Sequence, residues 1–323
     1  MRFWGVVPAP RDAAGAEVVG VGEISLDRRI AVDALPTPGA KQAARADARL
    51  AGGQIATAML ACARLGRSAA FVGAVGDDAD AERALAPLRA GGVDVGDVQR
   101  VAGGRTRAAL VLVETARGER AVVEQRDPAT RLDPARIPLA HAEAARAVLV
   151  DATDPPAAHA VAQAARAAGV PVFLDADSPS RESFAIAAEV DFPVVSERFA
   201  VEIGRGISVS EGLRALIGAG ARVAVATLGE RGALARTADG RELGSGAFEI
   251  APVDTTGAGD AFHAAWIDAA LDGLDLAAAL RRANGAAALA CLAVGAQGAL
   301  ASRETLEAFL RDARQRRWRS DAA

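Results

Sequence analysis

A short glycine-rich segment that ends in a carboxylate is the part of this sequence that most directly suggests chemistry. It spans residues 254–260, with the sequence DTTGAGD, and apolar residues at helical spacing follow it. The amides of Gly257, Ala258 and Gly259 would be uncovered at the positive end of that helix, where anions bind. A carboxylate at Asp260 would repel a bound phosphate, but it could accept the proton of a hydroxyl that attacks a phosphoryl group. The segment therefore predicts phosphoryl transfer to an alcohol.

The elements around this segment alternate between strands and helices. Strands are predicted at 17–22, 69–75, 147–151, 172–175, 192–195 and 223–227, and helices at 55–65, 79–90, 157–168, 211–217, 260–272, 276–293 and 303–316. Such alternation is typical of an α/β fold with a doubly wound, mostly parallel sheet flanked by helices. Ligands bind beyond the carboxyl ends of the strands in such sheets. We therefore expect four glycine- or acid-rich junctions to gather at one edge, namely 22–27, 76–78, 175–178 and 228–232.

Two stretches do not fit this alternation and predict a small β appendage. They are residues 28–50, which contain three residues typical of loops (Pro36, Pro38 and Gly39), and residues 104–126, which carry a hairpin signature around 116–119. A second hairpin is predicted around 238–240. The domain prediction is one α/β unit over residues 17–310, preceded by a loose extension at 1–16. The basic residues 311–323 are interpreted as a tail that begins as a solvated helix end.

The composition excludes several classes of protein. The chain has 323 residues, 51% of them hydrophobic, which is enough to bury a large core. A net charge of −4 gives no electrostatic case for binding nucleic acid or a membrane. Lys41 is the sole lysine and lies between Ala40 and Gln42, so a P-loop, which needs Gly-Lys-Ser/Thr, is excluded. Phosphate must then be bound by backbone amides and arginines, and three scattered histidines argue against a zinc site.

The cysteines and the N-terminal residues bear on the compartment. Cys62 and Cys291 lie in apolar helical patterns, which predicts buried thiols in a reducing compartment. The N-terminal residues do not resemble a signal peptide, and no uninterrupted apolar run is long enough to span a membrane. We therefore expect a cytoplasmic protein with no membrane segment.

Of four other motifs, the first three are compatible with more than one interpretation. Residues 20–22 could begin a dinucleotide fingerprint, but Ser25 stands where the third glycine should be. Asp27 follows the first strand and is either a substrate-hydroxyl acceptor or an exposed loop acid. Residues 52–53, two glycines before a helix, could let a ligand approach the backbone or could form a plain turn. Residues 226–232 predict a strand followed by a tight turn with exposed amides.

Taken together, these pieces resemble the ribokinase / phosphofructokinase-B (PfkB) family of carbohydrate kinases over about residues 18–310. The match is most specific at 254–262 (DTTGAGDAF) and looser at 52–58, 63–66, 73–78, 227–229, 283–287 and 295–297. The resemblance implies a ribokinase-like fold in which segments 28–50 and 104–126 form a β lid over the sugar. It also implies ATP and Mg²⁺ as cofactors, K⁺ in a cation loop, and a homodimer formed through the lid.

The resemblance also implies a role for each residue that matches a family motif. Asp260 is expected to be the catalytic base, with an anion hole formed by Gly257, Ala258 and Gly259. The sugar is expected to contact Asp27, Gly52, Gly53, Gln54 and Thr57. The ATP site is expected to include Ser196, Thr227, Gly229, Gly232 and Asn284. The monovalent-cation loop is expected to include Asp254, Thr256, Ala290 and Gly295.

Two motifs depart from the family pattern. Thr57 stands where an Asn usually bonds the sugar. The family's Asn-x-x-Glu motif, which is linked to Mg²⁺ and phosphate, aligns with residues 196–199. Ser196 replaces its Asn and could still bond a phosphate oxygen, whereas Phe199 cannot take the role of the Glu; Glu197 or Glu202 could substitute from a neighbouring turn. We expect transfer of the γ-phosphoryl group of ATP to a primary hydroxyl of ribose, fructose, 2-keto-3-deoxygluconate or a related keto-sugar. The alternatives are a nucleoside kinase, a phosphosugar kinase that uses Lys41 and Arg107, and a non-catalytic sensor.

Overall fold

A large sheet and two smaller ones form the framework of the protein in a computed structural model that describes residues 15–115 and 120–319. The strands of these residues are β1 (Val18–Val21), β2 (Ser25–Val32), β3 (Ala46–Gly52), β4 (Ala69–Val72), β5 (Ala74–Gly76), β6 (Gln99–Val101), β7 (Ala108–Glu114), β8 (Arg120–Gln125), β9 (Ala147–Asp151), β10 (Val172–Ala176), β11 (Phe192–Ser196), β12 (Val223–Thr227), β13 (Ala233–Thr237) and β14 (Glu242–Ser245). The α-helices are α1 (Gln54–Arg64), α2 (Ala79–Ala90), α3 (Leu139–Ala144), α4 (Pro155–Ala167), α5 (Arg181–Ala187), α6 (Glu197–Ile203), α7 (Val209–Gly218), α8 (Ala258–Leu271), α9 (Leu276–Ala290) and α10 (Arg303–Asp312).

The large sheet has eight strands in the order β14-β13-β12-β11-β10-β9-β1-β4. The six strands from β12 to β4 in that order are parallel, and β13 and β14 add an antiparallel hairpin at one edge. Strands β1, β9 and β10 are buried along their whole length because helices cover both faces of the sheet. The predicted doubly wound, mostly parallel sheet is confirmed, as is the hairpin around residues 238–240.

The helices divide between the two faces and make a separate apolar core on each. One core includes residues of α1, α2, α8 and α9, and the other includes residues of α4 to α7. Every residue of α8 from Ala261 to Leu271 is buried, with Phe262 and Trp266 stacked at a ring distance of 6.3 Å. A helix that is apolar all round lies inside the fold. The first turn of α8, which carries the glycine-rich segment, is therefore held by the core behind it.

Four strands form the small sheet, in the order β3-β2-β7-β8. It contains both stretches that the sequence sets apart from the α/β alternation, although β2 and β3 extend to residues 25 and 52, beyond the predicted limits of 28 and 50. Strands β7 and β8 pair antiparallel as the hairpin signature predicts, and the turn at 116–119 lies outside the described residues. Residues 1–14 of the predicted N-terminal extension also lie outside them.

The C-terminal segment differs from the prediction. Helix α10 ends at Asp312 rather than near 316, and residues 313–319 run extended beside residues 244–249. Arg316 N donates to Ala247 O at 2.8 Å, and Gln315 Nε2 donates to Gly246 O at 2.7 Å. The prediction of a solvated helix end is wrong for residues 313–319, because the backbone of residues 247–249 offers them hydrogen-bond partners. Residues 320–323 lie outside the described part of the chain.

Two further expectations concern the cysteines and membrane segments. Cys62 and Cys291 are both buried thiols outside any disulfide, as predicted, and burial raises the pKa of the Cys62 thiol. Within residues 15–115 and 120–319, every helix is too short or too polar to cross a membrane.

Candidate active site

A cleft of about 480 Å³ opens at the carboxyl edge of the large sheet, where the small sheet faces it. The carboxyl ends of β10, β11 and β12 contribute to its wall, together with residues of β2, β7 and β8. It brings together nine of the residues that the sequence assigns to the site, namely Asp27, Gly53, Gln54, Ser196, Thr227, Thr256, Gly257, Gly259 and Asp260. The same cleft therefore holds residues predicted for the sugar, for ATP and for the chemistry.

The glycine-rich segment forms the start of α8 on one wall of the cleft. Gly257 has a left-handed backbone (φ 84°), and a Cβ at this position would collide with the carbonyl oxygen of Ala296. Glycine is the residue that adopts this conformation without strain. No atom lies within 4 Å of a Cβ built at Gly259, so the backbone is uncovered there. Asp260 lies in the first turn of a 14-residue helix, whose amides and dipole favour a bound anion.

Two cleft residues near Asp260 are absent from the sequence-based site. His263 lies one helical turn after Asp260, and its Nδ1 is 2.8 Å from the carbonyl oxygen of Gly259. The same nitrogen lies 3.6 Å from Asp175 Oδ2, at the carboxyl end of β10. Burial raises the pKa of Asp175, while His263 acts in the opposite direction. The signals that could have found both residues are the spacing of three from Asp260 and the position of Asp175 at a strand end.

The polar wall opposite α8 comes largely from the strands of the small sheet. Asp27 Oδ1 accepts a hydrogen bond from Ala109 N at 3.1 Å, and burial raises the pKa of this carboxyl. Arg107 is paired with Glu23, and its NH2 lies 2.8 Å from Glu124 Oε1. Burial lowers the pKa of Arg107 to about 10, and its Nε is buried without a hydrogen-bond partner among the described residues. Arg107 therefore helps to hold the polar wall through its two ion pairs.

The end of the cleft where the sequence predicts ATP is built from the ends of β11 and β12. Ser196 Oγ donates to the carbonyl oxygen of Asp177 at 2.6 Å, and both residues line the cleft with Thr227. The predicted Gly229, Gly232 and Asn284 do not line it. Asn284 is buried, and its Nδ2 donates to Ser245 O at 3.0 Å and to Gly246 O at 3.2 Å. Its contacts order the loop after β14.

The other predicted residues lie beside the cleft rather than on its wall. Thr57 is fully buried in α1, and its hydroxyl accepts from Gln297 Nε2 at 3.3 Å. This group also includes Gly52, Asp254, Ala258, Ala290 and Gly295. Lys41 is exposed in the loop between β2 and β3. Because the Thr57 side chain does not reach the cleft, discrimination between ligands cannot depend on a direct contact with Thr57 in this arrangement.

One of the four junctions expected at the carboxyl edge of the large sheet lies elsewhere. The chain leaves the large sheet after β4 and enters a separate two-stranded sheet, β5 with β6, which carries residues 76–78 away. Asp78 caps α2 by accepting from Ala81 N at 2.9 Å, and it also accepts from Thr106 N at 2.7 Å. These hydrogen bonds give the Asp78 carboxylate a structural role, which accounts for an acidic residue at this junction.

The departures at the Asn-x-x-Glu position have clear structural consequences. Phe199 is fully buried against Phe184, with ring centroids 4.9 Å apart, so it belongs to the core. Glu197 lies 2.5 Å from Arg231 NH2 in the turn after β12, and Glu202 is exposed. No group of three or more metal-ligating side chains forms among the residues described. Mg²⁺ does not require such a group, because it is commonly held by one or two carboxylates together with substrate phosphates.

A buried carboxylate next to this edge gives a testable pH dependence. Burial raises the pKa of Asp151 from 3.8 to about 7, while its side chain accepts from Glu23 N at 2.9 Å and Thr153 N at 2.9 Å. Between pH 3.8 and about pH 7, the Asp151 carboxyl is protonated in the folded protein but ionised in the unfolded chain. The free energy of unfolding therefore falls as the pH rises through this range. We expect the wild type to lose on the order of 2 kcal/mol of unfolding free energy between about pH 5 and about pH 7.5 through this group.

The measurement is chemical denaturation of the wild type and of Asp151→Asn at both pH values. Asn resembles the protonated carboxyl and cannot ionise, so the variant should show a shallower decline in stability. An equal decline in the two proteins would contradict the assignment of a raised pKa to Asp151.

The site combines amides that can hold an anion with a carboxylate in a polar cleft, and this arrangement suits transfer of a phosphoryl group. The class of the protein is therefore a phosphotransferase of α/β architecture. The model of the pfkB family of carbohydrate kinases matches residues 16–303, and the chain belongs to that family. The resemblance seen in the sequence motifs is confirmed.

Individual relatives agree with this assignment. The ribokinase of Bacillus subtilis is 30% identical over 294 residues, which cover 90% of this chain and 98% of that protein. The ATP-dependent ribose-1-phosphate kinase of Halopiger xanaduensis is 31% identical over 298 residues, covering 91% and 97%. The structure of Arabidopsis thaliana ribokinase complexed with ribose and ATP is similar, with a TM-score of 0.78 at 25% identity over 92% of this chain and 99% of that one.

Proposed function

We propose that the protein transfers the γ-phosphoryl group of ATP to a primary hydroxyl of a neutral monosaccharide such as ribose or fructose. The observation that carries this proposal is the single cleft that joins Asp260 and the start of α8 to the polar wall around Asp27. The family assignment supports the kinase activity, and the electrostatics of the cleft support the choice of a neutral acceptor.

The chemistry can be assigned to the residues at the start of α8. Asp260 would accept the proton of the attacking hydroxyl, because it lies in the first turn of the helix and lines the cleft. The amides of Gly257, Ala258 and Gly259 would stabilise the charge that develops on the transferring group. Bound Mg²⁺ supplies charge neutralisation for the phosphates, and Asp177 and Ser196 at the nucleotide end are the residues that would hold it.

The charges of the sugar wall favour an uncharged acceptor. Arg107 and Arg126 are both paired with glutamates: Arg107 with Glu23 and Glu124, and Arg126 with Glu124, at 3.2 Å from Nε to Oε2. Two arginines and two glutamates cancel, and Asp27 adds a further acid. A phosphate or carboxylate on the sugar would have to displace one of these ion pairs. Sugar hydroxyls could instead donate to the carboxylate of Asp27, which lines the cleft.

We also propose a homodimer formed through the small sheet, in a reducing cytoplasmic compartment. Among the described residues, strand β8 lies at an edge of the small sheet, and Val123 on it is 62% exposed. Such an edge is a ready site for pairing with a second chain. Two buried cysteines that form no disulfide support the reducing compartment.

The experiment is ADP release from ATP and Mg²⁺ over a panel of acceptors. The panel contains ribose, fructose, 2-keto-3-deoxygluconate, ribose 1-phosphate and nucleosides. We expect kcat/KM for a neutral sugar to exceed that for the anionic sugars by about ten-fold, since an anion that took Arg107 from Glu23 would break a pair whose side chains are only 13% and 10% exposed, at a cost of more than about 1.4 kcal/mol.

Other outcomes of the panel identify other functions. A preference for ribose 1-phosphate would assign a phosphosugar kinase and would show that Arg107 or Arg126 leaves its glutamate. Turnover with nucleosides alone would assign a nucleoside kinase. ATP binding without turnover of any acceptor would indicate a non-catalytic sensor.

A further inference from the structure

The carboxylate of Asp254, which lies in the loop that leads to Gly257, is already saturated by protein donors. Its Oδ1 accepts from Thr256 N at 3.0 Å and from Thr256 Oγ1 at 2.7 Å. Its Oδ2 accepts from Gly295 N at 3.1 Å and from Arg29 Nε at 3.0 Å. A carboxylate offers about four lone-pair sites, so these four donors use all of them. The residues expected to bind a monovalent cation therefore do not fit one at this carboxylate.

The charge at this point is balanced by Arg29 as well. The side chains of Asp254 and Arg29 are 3% and 12% exposed, so their ion pair is largely shielded from water. Burial would raise the pKa of Asp254, but hydrogen bonds from Thr256 and Gly295 and the charge of Arg29 lower it below its usual value. A K⁺ ion beside the carboxylate would meet the guanidinium as a like charge in a poorly solvated place, which is unfavourable.

The guanidinium of Arg29 comes from the small sheet, which packs directly on the loop that leads to Gly257. Arg29 lies on β2, and Leu50 lies on the neighbouring strand β3. A Cβ built at Gly295 would lie 2.7 Å from Leu50 Cδ1. Strand β3 therefore lies against Gly295, while β2 contacts Asp254 through Arg29. Val253 N also donates to Cys291 O at 2.8 Å, which ties the loop to the end of α9.

We propose that Arg29 acts as a built-in cation, so that the enzyme does not require K⁺. Arg29 is a positioning residue: it holds Asp254, and Asp254 holds Thr256 and Gly295, which frame the backbone that enters the anion hole at Gly257. The proposal deepens the kinase function and rests on it for the activity readout.

The first arm of the test compares turnover in potassium chloride and in tetramethylammonium chloride at equal ionic strength. The wild type should give the same kcat in both salts. Arg29→Met should lose on the order of 10-fold to 10²-fold in kcat in tetramethylammonium, as expected when the reacting groups are slightly misplaced, and should recover in part with K⁺. Arg29→Lys, which keeps the charge, should retain more activity without K⁺ than Arg29→Met.

Arg28→Met is the matched control. Arg28 is the neighbouring residue on β2, is 56% exposed, and is paired with Asp47 at 2.6 Å away from the loop. This variant should turn over like the wild type in both salts, which separates the role of Arg29 from a general effect of removing an arginine from the strand.

The second arm uses thermal unfolding and does not depend on turnover. The wild type should have the same Tm in both salts, whereas K⁺ should raise the Tm of Arg29→Met. If no acceptor is phosphorylated, the kinase proposal fails and this arm still tests the cation proposal. Strong activation of the wild type by K⁺ would overturn the proposal. So would full activity of Arg29→Met without K⁺, or an equal loss in both salts.

Discussion

Replacement of Asp260 by Asn is expected to lower kcat by about 10²–10⁴-fold with little change in ATP affinity. The side chain keeps its size and its place in the first turn of α8, but an amide cannot take the proton of the attacking hydroxyl. The amides of Gly257–Gly259 are unchanged, so binding of the anionic phosphates should persist or strengthen, since a nearby negative charge has been removed. The measurements are ADP release with the best acceptor of the panel and calorimetric titration with ATP.

Asp272→Asn is the matched control for this experiment. Asp272 immediately follows α8 at the opposite end of the same helix and does not line the cleft. The same chemical change there should leave turnover unaltered. Near-normal kcat in Asp260→Asn would remove Asp260 from the role of base, and loss of ATP binding would indicate instead that the substitution disturbs the anion hole.

The glycine-rich wall of the site could be predicted because its information is local. Seven consecutive residues place uncovered amides and a carboxylate at a helix start, and helical spacing after them gives the direction of the helix. The αL conformation of Gly257 and the open space at Gly259 agree with that interpretation. Ser196 and Thr227 were assigned through the family resemblance, and both lie where parallel strands end, which is where ligands bind in such sheets.

The opposite wall could not be predicted because it depends on pairing between distant segments. Glu23 meets Arg107 only because β2 pairs with β7, in the register that joins Arg28 to Leu110. The burial of Thr57 and Asn284 has the same origin, because each side chain is hydrogen-bonded to a segment remote in the sequence and does not reach the cleft. Motif alignment gives residue types at positions, but packing decides which way each side chain faces.

The C-terminal segment illustrates the same limit at the level of secondary structure. A run of basic residues after a helix resembles a solvated end, and nothing in residues 311–319 alone indicates a partner. The partner is the backbone of residues 247–249, which follows the edge strand β14. Ala247 O accepts from Arg316 N, and Glu249 N donates to Arg314 O. An edge strand can be recognised only after the strand order is known.

The largest expected effect on stability comes from a buried charge cluster that the sequence analysis did not single out. Asp268 in α8 is fully buried, and its two oxygens accept from Arg67 Nε at 2.8 Å and from Arg282 Nε at 2.8 Å; Arg303 is a third partner. These arginines come from the turn after α1, from α9 and from the start of α10. One carboxylate therefore links three elements around the helix that carries Asp260.

Asp268→Asn is expected to lower the free energy of unfolding by about 3–5 kcal/mol, because two poorly solvated guanidinium groups, those of Arg67 and Arg282, lose the charge that compensates them. The measurement is reversible chemical denaturation, with Asp272→Asn as the control. Asp272 shares Arg67 and Arg303 as partners but is 32% exposed, so its loss should cost no more than about 1 kcal/mol. Equal effects of the two substitutions would mean that water compensates the cluster around Asp268, and burial would then not be what makes this carboxylate important.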